Sequence, residues 1–428
     1  NGTMILDSHD IFGNHSASSR PTMVINGTLT NATGHVNMLG ATTLSGATIN
    51  MSDGHSSSGR TLGIVFDGNV TVSGSSASTV SSSGTAVVGL TSNNSSGSRD
   101  VTFDVGNVAS GTDLTISAAI ENGVGSSYPT AVASGLIKDG AGTMSLSSSS
   151  NTFTGSTVVR AGTLIVTSLS SSSTVTLTDS STTSSDTPQL LIPLTTTLAS
   201  DIVVANNSTA SNPVIGSSGS GFNNAFFSGD ITLNRNVTFH DAGTDRTTFT
   251  GAISSSNNDI TITGTRVTLD NDSNSISGAT FDVTDGSILQ LNNEEVIGSS
   301  STLNTVDLNS TGKLYINGGA GSSFFVGGLT GSGGTVQRHT GGTETINIGN
   351  NNDNSFGGVI SGSDQNGSAA TINVVKVGSG IQTLSGTNTY TGNTTVSAGT
   401  LEISGTLGSG DYAGDISNSG TLSFSSSS

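Results

Sequence analysis

The strongest constraint on this chain is a passage that occurs twice. Residues 140–166 read GAGTMSLSSSSNTFTGSTVVRAGTLIV, and residues 378–403 read GSGIQTLSGTNTYTGNTTVSAGTLEI. Each opens on Gly-x-Gly and alternates apolar with hydroxyl residues. Each then passes through Asn-Thr-aromatic-Thr-Gly and closes on Ala-Gly-Thr-Leu. With the residues just upstream, the copies cover 136–166 and 374–403. Gly142 and Gly380 lie 238 positions apart and Asn151 and Asn388 lie 237 apart, so the second copy is one residue shorter. The structural positions of the repeat are Gly142, Asn151, Phe153, Gly155 and Gly162, matched by Gly380, Asn388, Tyr390, Gly392 and Gly399. A repeat at this level of detail makes the chain an array of like units, each completing its core against its neighbours.

Shorter periodicities agree. Ile25-Asn26-Gly27-Thr28-Leu29, Leu44-Ser45-Gly46-Ala47-Thr48-Ile49 and Phe66-Asp67-Gly68-Asn69-Val70 carry central glycines 19 and 22 residues apart. Parallel coils of about 20 residues give that spacing, and hairpins at about 8–12 residues do not. A second signature, aromatic-x-Gly-x-Ile, begins at Phe227, Phe249, Phe356 and Tyr412. It reads as an aromatic at a coil corner, with Gly supplying a backbone shape that other residues resist.

Composition decides between order and disorder. Disordered chains pair low hydrophobicity with high charge and Pro. Here charged residues are 9 % and prolines number 5, while 32 % of residues are apolar and recur in alternating runs. That pattern is strand chemistry, and so much Gly, Ser, Thr and Asn opposes helix.

The repeat resembles the passenger-associated repeat of bacterial autotransporters, and the copy from Gly378 to Leu401 is close to the family pattern. The first copy departs from it with Ser147 to Ser150 and with Phe153 in place of Tyr. The resemblance implies an all-β, right-handed parallel β-helix exposed outside the cell. It implies no particular activity. At about 20–24 residues per coil, the chain makes roughly 19 coils and a rod of roughly 90 Å at the spacing of neighbouring strands. Residues 1–428 are expected to form a single solenoid, with loop insertions over 168–193 and 205–224.

The formal net charge of −18 argues against a nucleic-acid partner and against an anionic membrane surface. No run of 18 apolar residues is present, so this segment is not expected to insert into a membrane. With neither a signal peptide nor a C-terminal barrel in the sequence, the chain reads as a processed or truncated passenger.

Sites of chemistry are sparse. His15, His35 and His55 recur at intervals of 20 and 20, each after Gly or Gly-Asn. Stacked on one coil edge they form either a polar ladder or a site for Zn²⁺ or Cu²⁺, with His9 and Asp53 as further ligands. Asp270-Asn271-Asp272 opens like a calcium loop, but Ser275 and Phe281 stand where Gly and Glu are required. Glu294-Glu295 is the one adjacent Glu pair, and neighbours on a strand face opposite sides. No catalytic residue is assigned, and no cofactor is expected.

The sequence therefore predicts an extracellular, non-enzymatic stalk or fibre subunit. Its expected contacts are end-to-end self-association or a continuation of the precursor, and cell-surface or matrix glycans. An adhesin passenger and a carbohydrate-active β-helix enzyme are the alternatives.

Overall fold

The computed structural model describes residues 2–12, 20–57, 60–92, 100–124, 131–207, 210–299, 301 and 303–425. The described residues are all β apart from a single 3-10 turn at Gly408–Gly410. The strands form parallel stacked coils, a β-solenoid of about 16 turns. By internal contacts the chain divides into two compact units, Asn1–Val214 and Ile215–Ser428.

In the first unit one sheet runs through Thr3–Leu6, Thr28–Asn31, Thr48–Met51, Ser78–Ser82, Leu114–Ile116, Thr143–Leu146, Thr163–Val166 and Gln189–Pro193. A second runs from Met23–Ile25 through Thr42–Leu44, Val70–Val72, Val101–Val105, Leu136–Asp139, Thr157–Val159 and Val175–Leu177 to Ile202–Val204. A third takes Asn37–Leu39, Arg60–Phe66, Val87–Ser92 and Ile120–Val124.

Register explains why alternation in sequence becomes a core. Leu29 pairs with Ile49, Ile49 with Val80, Val80 with Ile116, Ile116 with Leu146 and Leu146 with Val166. All six are essentially inaccessible to solvent. Because side chains alternate across a strand, a slip of one residue would turn this whole ladder outward. Each rung contributes about 1.5–3 kcal/mol of apolar burial, so the register is strongly specified.

The second unit repeats the scheme. One of its sheets contains Val237–Asp241, Ile260–Gly264, Thr280–Val283, Thr305–Leu308 and Gly328–Thr330. Another contains Ser323–Val326, Gly342–Ile348, Ala370–Lys376, Thr394–Val396 and Ile416–Asn418. Part of its core is aromatic: Phe227 stacks on Phe249 at 5.1 Å between ring centres, and Phe239 on Phe249 at 4.2 Å.

Two expectations need correction. The coils are fewer and more unequal than a regular 20–24-residue period gives. Along the Leu29–Val166 ladder, paired residues are separated by 20 to 36 positions. Two of the long turns carry antiparallel excursions, His55–Ser57 against Arg60–Phe66 and Ala131–Val132 against Ile120–Val124. The stretches 168–193 and 205–224 are also not plain loops. They contain the strands Val175–Leu177, Gln189–Pro193 and Val214–Ser218. Val175, Leu177, Leu190 and Ile192 are fully buried, and their alternation outweighs the Ser/Thr-rich composition around them.

Candidate functional site

The repeat positions build the same local object twice. Asn151 is buried at a coil corner, where its Oδ1 accepts the Ile120 N–H at 2.9 Å. Its amide donates to the carbonyls of Ser148 at 3.1 Å and Ser168 at 2.9 Å. Asn388 accepts the Ile360 N–H at 3.0 Å and donates to the Gly386 carbonyl at 3.1 Å. Each Asn satisfies backbone groups that a turning chain would otherwise bury unpaired. Asn304, outside the repeats, does likewise for Ala279 N–H and the carbonyls of Ile276 and Ile297, and no motif in the sequence marked it.

Phe153 and Tyr390 fill equivalent core positions, both fully buried. Tyr390 differs by its hydroxyl. Its OH lies 2.9 Å from Thr394 Oγ1, Thr394 lies 2.7 Å from the Tyr412 OH, and that OH donates to the Gly392 carbonyl at 2.5 Å. Burial pushes the Tyr390 phenol well above its ordinary value, so it stays a donor. In the first copy Thr157 stands where Thr394 does. Opposite Phe153, its buried hydroxyl has no hydrogen-bond partner.

Gly142, Gly155, Gly380 and Gly392 each lie against backbone of the preceding coil. The tightest requirement falls on Gly162 and Gly399, at φ +61° and +63°. A Cβ on Gly162 would stand 2.5 Å from the carbonyl oxygens of both Gly140 and Gly142. On Gly399 it would stand 2.5 Å and 2.6 Å from those of Gly378 and Gly380.

Sequence reasoning missed the residue these glycines surround. Lys138 and Lys376 are completely buried. Lys138 Nζ donates to the carbonyls of Asp139 at 2.9 Å, Gly140 at 2.6 Å and Ala161 at 2.9 Å. Lys376 Nζ donates to those of Val377 at 2.6 Å, Gly378 at 2.9 Å and Ala398 at 3.3 Å. Burial lowers the Lys138 ammonium to about 8, against the opposing pull of Asp139, Asp104 and Asp113. Burial also lowers Lys376. The signal was present, because the two lysines are 238 positions apart, the same offset as Gly142 and Gly380.

Two members of the histidine column, His35 and His55, are described. His15 lies outside the described residues. His35 and His55 both contact His9, edge to face, with ring centres 4.7 Å and 4.5 Å from it. His9 Nδ1 accepts the Val36 N–H at 3.1 Å, so neutral His9 carries its proton on Nε2 and has no second lone pair for a metal. Its pKa is lowered, first by burial and then by His55 and His35. Among the described residues, no three His, Cys, Asp or Glu side chains are placed to hold a metal ion.

Of the other candidates, the calcium-like loop makes structural contacts, whereas the Glu pair lines a cavity with a third carboxylate, Asp272. Asp270 accepts from the amides of Asn293 at 2.9 Å and Asn292 at 3.1 Å. Glu294 and Glu295 both line an open polar cavity of about 350 Å³ beside Asp272 and Gly318. His240 Nδ1 lies 3.0 Å from Thr263 Oγ1, and the His339 ring packs 5.9 Å from that of Tyr315. A buried ion pair joins Arg338 Nη2 to Glu344 Oε1 at 2.9 Å, and Gly318 N–H donates to the same oxygen. Burial raises Glu344 to about 7, although Arg338 and that N–H pull it down.

Residues 136–166 and 374–403 each match the family model described as passenger-associated-transport-repeat. Searches of curated proteins and of solved structures returned no match. Two such repeats on a parallel β-solenoid support an extracellular passenger domain of the autotransporter kind.

Proposed function

We propose that this chain is a non-enzymatic stalk of a cell-surface passenger, whose coils serve extension and display. The observation that carries the reading is the placing of both passenger-associated repeats on stacked parallel coils. The polar groups inside the stack support it. Asn151, Asn304, Asn388, Lys138 and Lys376 all spend their hydrogen bonds on backbone of their own or a neighbouring coil.

Antibodies raised against the chain should label intact, unpermeabilised source cells. The purified chain should neither turn over a polysaccharide panel nor bind a glycan array saturably. Turnover abolished by one point substitution would favour the enzyme, and saturable glycan binding would favour the adhesin.

A fibre form of the stalk is supported by apolar exposure at strands with a free edge. Met4 and Phe424, whose ladder partners Leu29 and Ile403 are buried, are 49 % and 59 % exposed. A second copy or a continuation of the chain would cover them by adding a parallel coil. Electron microscopy of concentrated protein tests this: end-to-end filaments are expected, and dispersed particles at all concentrations would refute the fibre.

A further inference from the structure

The chain has three lysines, and two of them are fully buried at equivalent positions of the two repeats. We propose that Lys138 and Lys376 are coil locks. Each ammonium acts as a built-in cation in a nest of three carbonyls, pinning the first coil of its repeat to the second in a fixed register.

Each lysine ends an inward-facing series on its strand. In Leu136–Asp139 the buried residues are Leu136 and Lys138, and in Ala370–Lys376 they are Ala370, Ile372, Val374 and Lys376. Each side chain thus starts in the core and turns its ammonium to the corner. Two carbonyls there belong to the residues directly after the lysine. The third, of Ala161 or Ala398, belongs to the next coil. Three donors meet three acceptors, as a buried ammonium requires.

The surrounding motif now has a physical reading. In Lys-x-Gly-x-Gly, the first glycine takes φ +73° at Gly140 and +70° at Gly378, which turns its carbonyl to the ammonium. In Ala-Gly-Thr-Leu, the glycine lets the next coil approach closely enough for the Ala carbonyl to reach. On Gly399 a Cβ would come 2.8 Å from Lys376 Nζ itself. Carboxylates are not the shared element. Asp139, Asp104 and Asp113 act on Lys138, whereas burial is what shifts Lys376.

A buried charge satisfied in only one register disfavours every other pairing, because a one-residue slip exposes the lysine and strands the carbonyls. The lock therefore adds specificity at two points against slips of two residues, which would keep the apolar ladders facing inward.

The test uses the full chain. Native acylation followed by mass spectrometry should modify Lys313 and spare Lys138 and Lys376; equal reaction at all three would overturn the proposal. Lys138→Met and Lys138→Ala should lower amide protection by at least about tenfold over Leu136–Asp139 and Thr163–Val166. The second repeat should be untouched, and Lys376→Met should give the mirror result. Methylammonium added to Lys138→Ala should restore protection, and tetramethylammonium, which has no N–H, should not. Unchanged protection, loss spread evenly along the chain, or equal effects of the two amines would each refute the lock. If Lys138→Ala does not fold, acylation of the wild type and the two Met variants decide.

Discussion

The unequal hydroxyls of the two repeats allow a sharp test by substitution. Phe153→Tyr should stabilise the first repeat, which is unusual for a change in a filled core. In the second repeat the equivalent phenol reaches Thr394 at 2.9 Å, whereas Thr157 Oγ1 is buried with no partner. An orphaned buried hydroxyl costs about 1–3 kcal/mol, and a new internal hydrogen bond returns about 0.5–1.5 kcal/mol net. Adding one oxygen to a packed site opposes this by a fraction of that amount. The expected gain is about 1 kcal/mol. Thr157→Val should give a similar gain by removing the hydroxyl. The double variant should lose both gains, because the new phenol would then have no partner, and the coupling energy should reach about 1–2 kcal/mol. Solenoids open by segments, so the assay is native-state hydrogen exchange over Thr157–Val159. Additive single and double variants, or a Phe153→Tyr chain less stable than wild type, would show that the orphan hydroxyl is not the governing feature.

Further outcomes follow from the same structure. Gly162→Ala should destabilise by about 1–3 kcal/mol, because φ +61° strains any side chain and the Cβ would meet two carbonyls; urea unfolding measures it. Asn304→Ala should cost about 2 kcal/mol or more, since Ala279 N–H and the Ile276 and Ile297 carbonyls lose a common partner. Glu344 should make stability depend on pH. Its folded pKa of about 7 exceeds the ordinary carboxyl value, so its stabilising contribution is fully present at about pH 4 and is lost as pH rises through about 7. Subtracting the urea midpoints of Glu344→Gln from those of wild type across that range should isolate this slope, and parallel curves would contradict it.

Much of the architecture was legible in the sequence, for a definable reason. Strand alternation, Gly corners at about 20-residue spacing and the doubled passage are local properties, and in a solenoid local properties propagate because each coil packs only on its neighbours. The all-β class and the parallel stacking were available on those terms. The burial of Asn151 and Asn388 fits the same logic, because a corner repeated in sequence is a corner repeated in space. Composition misled where it was weighed above pattern, as at Val175–Leu177 and Gln189–Pro193.

What only the tertiary structure decided are contacts between residues whose separation no period fixes. Turns along one ladder run from 20 to 36 residues, so equal spacing in sequence could not say which groups meet across coils. His9 has no place in the 20-residue series, yet it is the ring that both His35 and His55 touch. Arg338 and Glu344 are neighbours in sequence but pair as buried charges only because the fold withdraws both from water. Lys138 is the clearest case. Its place in the repeat was written in the chain, but a lysine ordinarily stays at the surface. Only the approach of Ala161 from the next coil completes the three carbonyls that let this one be buried.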